Sequence, residues 1–404
     1  MNLKRIIISF LIIISFTGCF PQKSKIIVMK DLSNYTKEEV IKYAKENNLK
    51  LKIKEEYHEE IKKNYVIEQS LKKNEEMKSK NLTVIISLGK TPLELYKQYQ
   101  VNELRKVPIL MYHGIINKLN EETKYLGGNV DKDGYNRTKE AFINDLEFYY
   151  QKGYRMIRLI DYIEGNISVE LGKSPLILTF DDGQANNIKI LEKDHEGKLI
   201  IDPNSAVGIM ESFKNKYPDF NITATFFLNE GLFNQPEYNE DILKWLVDNG
   251  YDIGNHTKDH LNFKFSTIFE AEYNIAFMYQ LFDKIIPHKY VNILSLPFGS
   301  PGSNTHFIFD KLLQGEHEGY QYKNISTLRE CWEPELSPFH KNFDQTYLKR
   351  IRAWDNNGKE CDLEITFQNL EKNRYISDGD PNTIVIPQEE AENLIETKKK
   401  VVKY

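Results

Sequence analysis

The stretch that most constrains this chain is residues 176–183, Leu-Ile-Leu-Thr-Phe-Asp-Asp-Gly. An apolar, partly β-branched run suits a buried strand, and two carboxylates followed by glycine end it in a tight turn. Asp181 and Asp182 therefore arrive together at the C-terminal end of a strand. A nearby cation would keep both ionised, so that one carboxylate ligates a metal while the other moves a proton. Taken alone, the pattern fits a surface Asp-Gly turn equally well. Downstream lies His256-Thr257-Lys258-Asp259-His260, whose imidazoles share one face if the segment is helical or tightly turned. An acid and a histidine pair make three metal ligands.

Together these stretches resemble the polysaccharide deacetylases, the NodB-homology or family 4 carbohydrate esterases. In that family a Thr-Phe-Asp-Asp-Gly motif supplies the base and one ligand, and a His-(Ser/Thr)-x-x-His motif supplies two more. The resemblance covers residues 107–298 and extends faintly through the rest of the C-terminal half. It implies a distorted (β/α) barrel, with Asp181 as general base. Asp182, His256 and His260 would hold a divalent ion, zinc first and another transition metal second. It also implies that Pro297 and Phe298 contact substrate, the backbone N–H of Phe298 facing the oxyanion. The run from Val107 to Gly114 is similar to the Met-Tyr-His stretch of exported members, with His113 either facing the cleft or bonded structurally at a strand end. Two departures stand out. The motif Arg-x-Pro-Phe/Tyr reads Ser295-Leu296-Pro297-Phe298, without its arginine, and no clear Leu-x-x-His motif follows. His340 is the expected general acid, with His306 behind it.

The chain opens with Lys4-Arg5, an apolar run over residues 6–16 and Thr17-Gly18-Cys19. This reads as a secretory signal over residues 1–18, too short for a comfortable permanent span. Its end resembles a bacterial lipobox, which implies lipidation of Cys19 and anchoring at the outer face of the cell membrane. Stable anchoring needs more than one acyl chain. After a linker at 19–26, residues 27–89 read as a small α+β unit. Thr36 and Glu39 form a capping box, and Leu49, Leu51 and Ile53 alternate with lysines. Asp31-Leu32-Ser33, Val66-Ile67-Glu68-Gln69-Ser70 and the run 83–89 resemble a PASTA domain, which implies either a peptidoglycan-binding module or a spacer. Two usual glycines appear as Asn74 and Asn81, and asparagine tolerates positive φ.

A linker at 90–106 leads to the deacetylase-like region, 107–390. Within it the pattern predicts a helix over 138–153, a strand around 157–160 and a structured insertion at 184–222 beside the site mouth. Residues 350–355 alternate like an edge strand. Residues 388–404 read as an amphipathic helix ending in a charged tail, 391–404, with its lysines solvated. A net charge of -5 gives no nucleic-acid signature. Cys331 and Cys361 stay unassigned, because spacing cannot show that they meet. The expected protein is an exported, metal-dependent deacetylase of an N-acetylated glycan, peptidoglycan first. The alternatives are an O-acetyl esterase on the same fold and a non-catalytic glycan-binding lipoprotein.

Overall fold

The computed structural model describes residues 28–76, 80–117 and 135–404. The signal segment and Cys19 lie outside the described residues. No helix among the described residues is long and apolar enough to cross a membrane. The chain divides into two compact units, with the break after Glu94.

In the first unit, helix Lys37–Glu46 begins at the Thr36–Glu39 capping box, with both reciprocal bonds formed. Strand Asn81–Ser87 runs parallel to Lys50–Glu56 and antiparallel to Val66–Gln69. Val40 and Tyr43 from the helix pack on Leu82, Val84 and Ile86 from the central strand. Gln69 ties the ends together, accepting from the Leu32 N–H and donating to the Lys30 and Leu71 carbonyls. Asn74 takes the left-handed turn with φ 65, as its chemistry allows, whereas Asn81 simply begins a strand.

The second unit is a closed barrel of seven parallel strands. They are β1 (Ile109–Tyr112), β2 (Ser174–Phe180), β3 (Thr225–Leu228), β4 (Asp252–Asn255), β5 (Ile293–Ser295), β6 (Ser326–Cys331) and β7 (Tyr347–Arg352). Each pairs with its successor, and β7 returns to β1. Alternation along the strands sorts the side chains. Ile109, Ile177, Ile293, Leu328 and Leu348 fill the barrel with Phe227. Leu110, Leu178, Phe180 and Ile351 face outward, into a core shared with the covering helices. Gly254 is required inside, because a Cβ there would come within 2.4 Å of the Phe227 ring.

Several expectations need correction. The strand expected around 157–160 is Tyr154–Met156, and Leu159–Ile163 is a short helix. The insertion forms a hairpin, Ile190–Lys193 with Leu199–Ile201, and helix Ala206–Lys216. The helix commits its apolar face, Val207, Met210 and Phe213, to the outer core, while Asn186 and Asn187 at the start of the insertion bond the Ile115 N–H and the His113 carbonyl. Residues 347–352 are not an edge, since β7 is bonded on both sides. The C-terminal tail is a strand, Lys400–Lys403, paired with Thr383–Ile386. Lys399 is not solvated there but donates to the carbonyls of Gly165 and Pro381. Cys331 and Cys361 are free thiols.

Candidate metal centre and active site

The period of two that fills the barrel also builds its upper end. On β2, Ile177 and Thr179 point inward and Asp181 follows one step beyond. On β7 the same step takes Leu348 to Arg350, and on β5 it takes Ile293 to Ser295. These groups meet. Arg350 donates through Nη1 to Asp181 Oδ1 at 2.8 Å and through Nη2 to Oδ2 at 2.7 Å, a two-pronged pair that is 1% and 2% exposed. The same guanidinium reaches Thr179 Oγ1 and Ser295 Oγ, and the Ser295 hydroxyl donates to Asp181 Oδ2 at 3.1 Å. Burial, the largest single influence, would raise the Asp181 pKa, but Arg350 together with His256 and His113 outweighs it and holds the carboxyl below the usual carboxylate range.

Asp182 turns away from this pair at φ 71, and Gly183 completes the bend at φ 61. Its Oδ1 lies 3.3 Å from His256 Nε2 and 3.5 Å from His260 Nε2. The histidine segment is a tight turn rather than a helix, with Thr257 and His260 at positive φ. Such backbone costs free energy and persists where surrounding bonds enforce it. Here Asn229 donates to the carbonyls of His256 and Thr257, and Asn255 accepts from the Thr257 N–H.

These residues fit a divalent ion. The Ser295 carbonyl accepts from His256 Nδ1 at 2.9 Å, which leaves a lone pair on Nε2. That lone pair faces Asp182 Oδ1, a buried oxygen that accepts no hydrogen bond. Two electron pairs with no proton between them call for a cation. Asp182, His256 and His260 are the one such triad among the described residues, and an Asp-His-His set with an open side suits zinc or a similar transition ion. Burial opposes protonation of both imidazoles. At His256 the carboxylates of Asp181 and Asp182 reverse the balance and raise its pKa, whereas His260 stays lowered.

The cavity over this centre has a volume of about 180 Å³. Besides the acids and histidines, its wall includes Met111, His113, Tyr135, Leu296, Phe298, Glu330 and Arg350. His113 is buried, its Nδ1 has no partner, and burial brings it down to about 4, a neutral imidazole at neutral pH. Phe298, at φ 59 and 60% exposed, packs its ring 4.5 Å from that of His260. Pro297 is buried in the turn that presents Phe298 and does not line the cavity. His340 is not brought to the site. It lies in the connection entering β7 from the opposite barrel end, bridged to Leu394, its Nδ1 accepting from the Asn342 N–H. His306 is likewise no part of the wall, its Nδ1 accepting from the Ile308 N–H.

Family profiles agree with this geometry. The profile described as Polysaccharide deacetylase matches residues 168–312, and that described as PASTA domain matches residues 27–90. A Bacillus subtilis (strain 168) protein, YxkH, whose name carries the words polysaccharide deacetylase, is 23% identical over 220 residues. The match covers 54% of this chain and 63% of that relative, so the chain spans somewhat under two thirds of its length. Among solved structures, the Streptococcus pyogenes deacetylase PplD in complex with acetate has a TM-score of 0.45 at 19% identity, covering 65% of this chain and 98% of that one. BA0330 of Bacillus anthracis, also titled a polysaccharide deacetylase, has a TM-score of 0.45 at 17% identity, covering 68% and 70%. By the two profile matches the chain carries a PASTA domain over residues 27–90 and, later in the sequence, a polysaccharide deacetylase domain that includes residues 168–312.

Proposed function

We propose that this protein removes acetyl groups from the N-acetylated sugars of a glycan, peptidoglycan being the first choice, in a metal-dependent hydrolysis. The observation that carries the reading is the division of labour between adjacent carboxylates: Asp182 turned to two imidazoles, Asp181 turned to Arg350. A divalent ion held by Asp182, His256 and His260, with zinc favoured, would supply Lewis acidity and lower the pKa of a bound water from about 15.7 to about 7. Asp181 takes the proton of the attacking water. Its Oδ2 is occupied by Arg350 and Ser295, so Oδ1 is the oxygen with capacity to spare. Pinned as a carboxylate, Asp181 is a weak base but a strong acid once protonated, and it returns the proton to the departing nitrogen. His113, neutral through burial, offers an N–H to the reacting acyl group and replaces His340 in this reading. Met111, Leu296 and Phe298 give the acetyl methyl an apolar wall. The backbone N–H of Phe298, by family resemblance, steadies the oxyanion.

Arg350 bears on the non-catalytic alternative. The missing arginine before Pro297 and the missing Leu-x-x-His motif favour that alternative together, and a guanidinium on the base supplied from β7 removes the first of these supports. The PASTA domain suits a protein working at the cell wall, and Cys19 would anchor it to the outer face of the membrane. Acetate release from peptidoglycan and from N-acetylglucosamine oligomers is the test, run with metal, with chelator and with Asp181→Asn. Release that needs the metal and disappears in the variant is expected, and none from the metal-loaded protein overturns the reading. Membrane fractionation of Cys19→Ala tests the anchor, with unchanged partition refuting it.

A further inference from the structure

The cavity over the metal centre holds a carboxylate that the proposed mechanism does not use. On β6 the period of two runs from Leu328, inside the barrel, to Glu330 at its upper end. Glu330 is paired in register with Arg350 and lines the cavity with it. The turn that presents Phe298 packs against it, since a Cβ on Gly299 would stand 3.3 Å from the Glu330 Cβ.

Its partner is Arg352, one further step of the alternation along β7, which donates through Nη2 to Glu330 Oε1. No donor among the described residues reaches Oε2. The two members of the pair are presented unequally. The Arg352 side chain is 12% exposed and is no part of the cavity wall, its guanidinium lying 4.9 Å from the Tyr135 ring and 5.1 Å from the Trp332 ring. The Glu330 side chain is 29% exposed and is the member in the wall.

Charge then decides what the cavity accepts. Asp181, Asp182 and Glu330 stand against the Arg350 guanidinium, with His113 neutral. A divalent ion on Asp182, His256 and His260 would bring this wall to neutrality and leave no positive charge over for a carboxylate on the substrate. A sugar hydroxyl suits Oε2, which has capacity to accept, whereas an acidic group meets a like charge held in place by Arg352. Such a repulsive element discriminates between ligands of similar shape.

We propose that Glu330 is a specificity-determining residue: it admits a neutral N-acetylated sugar such as N-acetylglucosamine and rejects one bearing a free carboxylate, such as N-acetylmuramic acid. The inference rests on the glycan deacetylase reading and narrows its substrate. Three probes test it: N-acetylglucosamine, N-acetylmuramic acid, and the methylamide of the latter, which keeps the bulk and loses the charge. Acetate release by the zinc-loaded full chain, and affinity for the metal-free full chain by calorimetry, are measured for the wild type and for Glu330→Gln. The wild type is expected to favour the methylamide over the acid by at least ~10-fold, in affinity and in kcat/KM, the latter through KM. Glu330→Gln, which keeps the shape and an acceptor oxygen, is expected to close that gap, whereas a merely structural role would weaken all three probes together. Equal values for acid and methylamide in the wild type, or a gap that survives Glu330→Gln, overturns the inference. No acetate from any probe removes the deacetylase reading itself, while the calorimetric gap still reports on Glu330.

Discussion

Replacing Arg350 by methionine separates the proposed mechanism from a merely structural site. Methionine keeps most of the volume inside the barrel but removes four donated hydrogen bonds, two to Asp181 and one each to Thr179 and Ser295. Asp181, 2% exposed, is then a buried carboxylate with the Ser295 hydroxyl as its remaining donor. Breaking one side of a buried pair costs about 3–5 kcal/mol. The sign follows from the wild-type shift. The folded-state pKa of Asp181 is depressed, so its contribution to stability is present above the unfolded value of about 3.9 and lost as pH falls through the folded one. In Arg350→Met burial acts unopposed by the guanidinium, the pKa rises, and the base is protonated over a wider range. Acetate release is measured from pH 4 to 9, beside thermal melts. The expected result is a fall of about 10²–10⁴ at pH 6, recovering in part at high pH, with a lowered Tm. Arg350→Lys restores a charge but one prong only, and falls between. A methionine variant with the wild-type acid limb would refute the assignment of Arg350 as the partner that keeps Asp181 ionised.

Other outcomes follow from the same geometry. His113→Gln should lower acetate release about 10²-fold with metal content unchanged by elemental analysis, while His340→Ala should change neither; a reversed pattern would return the role to His340. Asp182→Asn should reduce bound zinc as well as activity, and a variant retaining stoichiometric metal would contradict the ligand set. Gly183→Ala meets both positive φ and the Leu232 carbonyl at 2.1 Å, so a destabilisation of about 1–3 kcal/mol is expected, and an unchanged Tm would show that the turn is not needed. Retention of residues 27–90 on insoluble peptidoglycan would make the PASTA domain a wall-binding module, and failure to bind would leave a spacer.

What could be read from the chain was local in origin. Asp181 and Asp182 are neighbours, and His256 and His260 lie within one turn, so strand period and turn chemistry alone bring each group together. The capping box at Thr36 and Glu39 was legible for the same reason. Arg350 was not, although the alternation of Leu348, Arg350 and Arg352 is a visible signal, because alternation does not say whether a strand is an edge or a barrel wall. Its partner is 169 residues away and is met only when β7 closes against β1. In the sequence Ser295 stands as a loss, the place of a missing arginine. It became two contributions, a carbonyl that orients His256 and a hydroxyl on Asp181, once closure put β5 beside both. His340 fits a general acid by residue type alone, and the fold excludes it by delivering it to the wrong end of the barrel. The sequence by itself determined which ligands exist and in which turns they sit. Barrel closure decided which charge faces which carboxylate, because contacts between distant strands depend on topology and register, which no local pattern encodes.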